Sequence, residues 1–176
     1  MTKLIILDRD GVINQDSLHY IKMADEFILL PGSAQAIARL VSAGYRVAVA
    51  TNQSGVSRGL YSEQDLAAIH QKMHASIKEA GGYIDWIEYC IHLPEAGCFC
   101  RKPNPGMLLA IAEHYNCSLM EVPFIGDRLS DIQAAYAAGA KPSIVLSPMT
   151  DRLKLVNYPD VAVYQSLAEW VDCFLP

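Results

Sequence analysis

Four short stretches concentrate the groups able to do chemistry: Asp8-Arg9-Asp10-Gly11-Val12, Thr51-Asn52-Gln53-Ser54-Gly55, Arg101-Lys102-Pro103, and Gly126-Asp127-Arg128 with Asp131 beyond. If they converge, three carboxylates share one small pocket. Such carboxylates repel one another unless a hard divalent cation neutralises them, and oxygen ligands without a dedicated cage suit Mg²⁺. Carboxylates and Mg²⁺, joined by a lysine, an arginine, a threonine hydroxyl and loop amides, form a receptor for the equatorial oxygens of a transferring phosphoryl group. One carboxylate can then act as nucleophile and become an aspartyl-phosphate. A second, two residues on, can protonate the leaving alkoxide and later activate water.

A second constellation is Cys90-x-His92 followed, five residues on, by Cys98-x-Cys100. Three thiolates and one imidazole make a closed tetrahedral set suited to structural Zn²⁺, with no position left open for water. The set ends immediately before Arg101 and Lys102, so zinc would fix the backbone that presents both cations. Five cysteines is an odd count, and in a chain without an export signal a cluster of this kind points to metal before disulfides.

The elements that must position these groups follow from periodicity. KLIIL (3–7) reads as a strand buried on both faces, which implies a parallel sheet. A helix from Pro31-Gly32-Ser33 stops at Gly44, and YRVAVAT is the second strand. An amphipathic helix runs from about Ser62 to Ala80 with Leu66, Ile69, Met73 and Ile77 on one face. Tyr83 to Ile91 reads as a third strand, Pro105 opens another helix, VPFIGD is a fourth strand, IQAAYAAGA a helix and PSIVLS a fifth strand. Ser166 to Phe174 closes the chain as a helix, while 147–165 shows no clear pattern. Five alternations of strand and helix predict a three-layer α/β domain spanning 1–176, with a doubly wound, mostly parallel sheet. In such sheets ligands lie outside the carboxyl ends of the strands, where all four stretches fall.

Composition bounds the rest. The 176 residues carry 14 Lys+Arg against 19 Asp+Glu, a formal charge of −5, and are 52% apolar. A chain of this size buries roughly 70% of its unfolded surface, enough for a core without staples. No apolar run approaches the ~20 residues needed to span a bilayer, and no basic run favours nucleic acid or an anionic membrane. The expectation is a cytoplasmic monomer acting on a small molecule. His70 and His74, four apart without a third ligand, read as exposed helix histidines, and Trp86 and Trp170 as core or packing residues.

In their order and on those strands, DRDGV, TNQSG, RKP and GDRLSD resemble the haloacid dehalogenase phosphatase superfamily over essentially the whole chain. The resemblance implies Asp8 as nucleophile, Asp10 as general acid and base, and Thr51 and Lys102 as holders of the phosphoryl group. It implies Asp127 as Mg²⁺ ligand beside Asp8 and the Asp10 carbonyl, with Asp131 orienting lysine or metal-bound water. Large cap domains in this superfamily sit after strand one or strand three. Here about twenty residues separate Asp10 from Gly32 and fewer than fifteen separate Cys90 from Asn104, which leaves no room for one. Selectivity must come from short loops.

With its cysteine loop at 90–100, the chain looks like the zinc-containing branch that holds the heptose bisphosphate phosphatases and the histidinol-phosphate phosphatases. The extended TNQSGVSRG and RKPNPGM favour the former; Arg128 departs from the lysine many of them carry. The implied reaction is hydrolysis of the C7 phosphate of a heptose 1,7-bisphosphate, toward nucleotide-activated heptose for the lipopolysaccharide core. The distal C1 phosphate would be held by Arg58, Arg101 and Arg128, with Asp16, Tyr20, Asn52, Gln53 and Ser54 as further substrate contacts. A histidinol-phosphate phosphatase, binding an amine in place of the second phosphate, is the alternative. A phosphorylated receiver domain is the non-enzyme alternative, although there the phosphorylated Asp follows a later strand.

Overall fold

The computed structural model describes residues 3–176, so the first two residues of the expected domain lie outside it. Apolar runs form the middle of the sheet: β1 (Leu4–Leu7) and β4 (Pro123–Gly126) are buried throughout, and β2 (Arg46–Asn52) is buried from Val47 to Thr51. With β3 (Trp86–Cys90), β5 (Lys141–Val145) and β6 (Ala162–Tyr164) they make a six-stranded sheet in the order β3-β2-β1-β4-β5-β6. Every pairing is parallel.

A parallel sheet must be covered on both faces, and alternate residues of β1 and β2 supply the two cores. Ile5, Leu7, Val47 and Val49 pack under α1 (Ser33–Ser42), α2 (Glu63–Glu79) and α5 (Leu167–Phe174). Leu4, Ile6, Ala48 and Ala50 pack under α3 (Gly106–His114) and α4 (Leu129–Ala138). This is the expected three-layer architecture. At the start of α2 the Ser62 hydroxyl accepts from the Asp65 amide while the Asp65 carboxylate accepts from the Ser62 amide, a reciprocal cap that satisfies two orphan donors.

The chain winds outward from β1 in one direction through β2 and β3, then returns to β4 and winds the other way. The crevice at this reversal lies at the carboxyl ends of β1 and β4. Between β1 and α1, and between β3 and α3, the only helices are the short 3₁₀ turns Ala24–Glu26 and Pro94–Ala96. No large cap is built from the described residues, and none of their helices is long and apolar enough to cross a membrane.

Three differences from expectation concern exposed edges. β3 starts at Trp86 rather than Tyr83, because it is an edge strand whose lead-in is fixed by Asp85, accepting from Arg46 at 3.0 Å and from Tyr115 at 2.9 Å. Trp86 lies at the surface, stacked on His114 with ring centroids 3.7 Å apart, whereas Trp170 is core. The unpatterned stretch 147–165 holds a 3₁₀ turn, Lys154–Asn157, and β6, a three-residue outer strand too short and too exposed to show alternation.

Candidate active site

Asp8 leaves β1 and Asp127 leaves the neighbouring β4, so their carboxylates meet at the crevice, joined by Asp131 from the first turn of α4. One carboxylate oxygen from each of the three lies within 4.8 Å of the others. Gly11 makes this approach possible: its backbone is left-handed (φ 82°), and a Cβ there would stand 2.2 Å from Asp127 Oδ2.

Lys102, brought in by the loop after β3, is the cation of this cluster. Its ammonium is buried, 3.0 Å from Asp8 Oδ1 and 2.7 Å from Asp131 Oδ1, and donates to the Ala50 carbonyl at 2.8 Å. Asp131 Oδ2 accepts from the amides of Asp127 and Arg128 at 3.1 and 3.0 Å. Both Asp131 oxygens are therefore spent on holding lysine and loop. Asp8 Oδ1 also accepts from the Arg9 amide at 2.7 Å, while Oδ2 has no hydrogen-bond partner among the described residues.

Asp127 is gripped from the stretch whose sequence showed no pattern. Ser147 donates to its Oδ2 at 2.6 Å and Thr150 to its carbonyl at 2.7 Å, leaving Oδ1 buried without a donor. With all three carboxylates ionised, three negative charges against one ammonium leave −3 + 1 = −2 in a largely buried cluster at the floor of the cleft. Burial, reinforced by Asp131 and Asp10 against the pull of Lys102, pushes Asp8 up to about 7; burial and the Asp8 and Asp131 charges push Asp127 up to about 8. An orphaned buried oxygen, a two-charge deficit and an all-oxygen donor set fit a hard divalent cation of the Mg²⁺ kind.

Asp10 lives in a different environment. The Arg9 guanidinium, itself fully buried, forks onto it from Nε (3.0 Å) and Nη2 (2.9 Å), Asn14 donates at 2.9 Å and Gln53 at 3.1 Å. Burial alone would raise Asp10, but Arg9 and these hydrogen bonds outweigh it and hold the carboxyl below its usual range. Two carboxylates two residues apart are thus set differently, the arrangement that separates catalytic roles.

The cleft over these groups has a volume of about 460 Å³. Its wall includes the predicted Asp8, Asp10, Thr51 and Lys102, and also Asp16, Tyr20, Asn52, Gln53, Ser54, Arg101 and Arg128. Several of these are already occupied. The Asn52 amide bridges the Lys102 backbone in both directions (3.0 and 3.1 Å), and Gln53 spans Asp10, Thr51 Oγ1 and the Tyr61 hydroxyl. Arg128 is paired with Asp16 at 2.6 Å. Arg58 departs from expectation: it is exposed on the turn after Ser54 and does not belong to the cleft wall, because that turn folds back on itself, Arg58 N donating to Ser54 O.

The Cys90, His92, Cys98 and Cys100 donor atoms also gather within 4.8 Å of one another. Ligands about 2.3 Å from a tetrahedral metal stand roughly 3.8 Å apart; here Cys98 Sγ lies 3.6 Å from both Cys90 and Cys100, and His92 Nδ1 lies 3.4 and 3.3 Å from Cys90 and Cys100. Only the Cys90–Cys100 pair, at 3.0 Å, must open. All five cysteines are free thiols, and the donors fit a zinc ion. The loop is tied to the site: Gln53 N donates to the Cys90 carbonyl at 2.7 Å and Arg101 Nη1 to that of His92 at 3.3 Å.

Sequence reasoning missed Arg9, Tyr61, Ser147 and Thr150, and misread His70. His70 is buried in α2 with its Nε2 3.3 Å from Arg9 Nη1, and burial together with Arg9 pushes it down to about 3. Its spacing, one turn beyond Leu66 and three residues before Met73, puts it on the buried stripe, the available signal. His74 is partly buried.

The family model described as "HAD-hyrolase-like" matches residues 99–170. A Pseudomonas putida protein named D-glycero-beta-D-manno-heptose-1,7-bisphosphate 7-phosphatase is 50% identical over 167 residues, covering 94% of this chain and 95% of its own. A Bordetella bronchiseptica protein of the same name is 55% identical over 143 residues, covering 81% and 80%. The crystal structure of the B. bronchiseptica D,D-heptose 1,7-bisphosphate phosphatase, complexed with magnesium and phosphate, superposes with a TM-score of 0.92 at 47% identity over 99% of this chain and 98% of that one. With half its residues shared along nearly its whole length, the chain belongs to the D-glycero-beta-D-manno-heptose-1,7-bisphosphate 7-phosphatase family of HAD-like hydrolases.

Proposed function

We propose that this chain hydrolyses the C7 phosphate of D-glycero-D-manno-heptose 1,7-bisphosphate through an aspartyl-phosphate on Asp8, one step in making nucleotide-activated heptose for lipopolysaccharide. The single observation that carries the chemistry is the buried Asp8–Lys102–Asp131–Asp127 cluster with its two-charge deficit, beside an Asp10 held in a separate hydrogen-bonded environment. The names of the relatives support the substrate, and support the β anomer at C1.

Asp8, Asp127 and the Asp10 carbonyl would hold Mg²⁺, which supplies the positive charge that lets the nucleophilic carboxylate and a phosphate dianion share the site. Asp8, its Oδ1 engaged by Lys102 and the Arg9 amide, presents Oδ2 to phosphorus. Lys102 and the Thr51 hydroxyl hold the phosphoryl oxygens as the bond to the C7 oxygen breaks. Asp10 gives that oxygen a proton. Arrival of a dianion beside Asp10 raises its proton affinity and so loads the acid. In the second half-reaction Asp10 takes a proton from water as the water attacks phosphorus, and Asp8 leaves as carboxylate.

For the distal phosphate Arg101 is the available guanidinium on the cleft wall, with Arg128 beside it but engaged by Asp16; Tyr20 and Ser54 line the path between. Arg58 has no part in this proposal. Cys90, His92, Cys98 and Cys100 would hold a structural Zn²⁺ that fixes the backbone before Arg101 and Lys102. The whole of 1–176 acts as one domain. The test is acid quenching during turnover: the peptide containing Asp8 should carry one phosphoryl group, and Asp8→Asn should abolish both label and turnover. Turnover by Asp8→Asn would overturn the reading.

A further inference from the structure

Arg9 is a fully buried guanidinium whose neighbours account for its donors unevenly. Its Nε and Nη2 edge faces Asp10, with Nη2 also 3.2 Å from Oδ2. At the remaining edge, buried from solvent, one partner faces Nη1 among the described residues: His70 Nε2, which comes from α2, 61 residues away in sequence, at 3.3 Å. A guanidinium has only donors, so the imidazole nitrogen facing it must accept, and His70 must carry its proton on Nδ1. We infer that His70 is a positioning residue for the general acid: as a neutral acceptor it fixes the plane of the Arg9 fork, and the fork fixes the Asp10 carboxylate.

The physical reason is directional. Asp10 must hand a proton to the C7 oxygen in one half-reaction and collect one from water in the next, and both transfers depend on where the carboxylate plane points. Asn14 and Gln53 each hold it by one hydrogen bond, while Arg9 holds it by three, Nε and Nη2 on Oδ1 and Nη2 also on Oδ2, so that both carboxylate oxygens are tied to one rigid planar group. Without His70, Nη1 loses a buried acceptor and the fork is free to turn toward another partner. Asp8 and Lys102 have their own contacts, so attack on phosphorus and phosphoryl binding are unaffected.

This inference rests on the proposed acid role of Asp10, and the experiment separates the two. The readout is kcat/KM, which reports only the steps through departure of the leaving group and not the later attack of water, measured on heptose bisphosphate, whose alkoxide leaving group requires a proton, and on 4-nitrophenyl phosphate, whose phenolate departs without one. Asp10→Asn should lose far more activity on the first than on the second. His70→Leu should show the same bias at smaller amplitude, about tenfold on the sugar and under about twofold on the aryl ester, and His70→Gln, which keeps an acceptor, should restore most of the loss. Arg9→Lys, which keeps the charge but loses the fork, gives the same bias and serves if His70→Leu does not fold. Equal losses on both substrates by His70→Leu or Arg9→Lys, with Asp10→Asn biased, overturn the inference alone. An unbiased Asp10→Asn overturns it together with the acid role.

Discussion

Replacing Lys102 by methionine keeps most of the stem's volume and deletes the charge that holds the site together. Its ammonium sits 3.0 Å from Asp8 and 2.7 Å from Asp131 and is 3% exposed. Removing one partner from a buried ion pair typically costs about 3–5 kcal/mol because the other charge is stranded. For a domain of this size 1 kcal/mol moves Tm by about 2–4 °C, so the metal-free variant should melt about 6–20 °C lower. The loss must depend on pH with a defined sign. Burial already raises Asp8, and Lys102 is the group that pulls it back down, so without Lys102 the Asp8 carboxyl titrates still higher in the folded protein, and stability is present at low pH and is lost as pH rises through its folded value. Calorimetry near pH 5 and near pH 8 should therefore find the larger deficit at the higher pH. Adding Asp131→Asn removes one stranded charge and should restore part of the loss. A Lys102→Met protein within about 1 kcal/mol of the parent at both pH values, or strictly additive losses in the double variant, would refute the account of the cluster.

Three more outcomes follow from the same geometry. Since burial lifts Asp8 to about 7 and Asp127 to about 8, the metal-free parent should lose stability as pH rises from about 4 to 8, and Mg²⁺ should raise Tm more near pH 8 than near pH 5; an Mg²⁺ effect independent of pH would contradict this. Cys98→Ser should abolish one bound zinc per chain, measured by elemental analysis, and lower kcat although no catalytic group is touched, whereas a zinc-free protein with full activity would remove zinc from the account. Arg101→Ala should cost the bisphosphate about ten- to a hundredfold in kcat/KM, the loss of one charge-assisted contact, with little change on a monophosphate. Arg58→Ala, outside the cleft wall, should change neither.

Much of this site was legible because its parts are local in sequence. β1 and β4 are short apolar runs that end in the residues of interest, and a buried parallel strand delivers whatever follows its carboxyl end to the same edge. The cysteine cluster was legible for a similar reason, four donors within eleven residues. What stayed hidden depends on side chains meeting across the fold. Ser147 and Thr150 follow β5, two strands from β1, and nothing in their own neighbourhood marks them as supports for Asp127. Arg9 lies inside the DRD stretch, yet its burial depends on His70 reaching it from another helix. Asn52 and Gln53 line the cleft as their sequence position suggests, but nothing in the sequence shows that their side chains also hydrogen-bond to the Lys102 backbone and to Asp10. β6 escaped because a three-residue edge strand carries too few alternations to register.

Hydrolysis of a heptose bisphosphate is read out by kcat/KM with Mg²⁺ on the β anomer of heptose 1,7-bisphosphate, measured beside histidinol phosphate and fructose 1,6-bisphosphate. The heptose substrate should be preferred by a hundredfold or more, about 2.7 kcal/mol of transition-state binding. Comparable rates on all three, or a preference for histidinol phosphate, would contradict it.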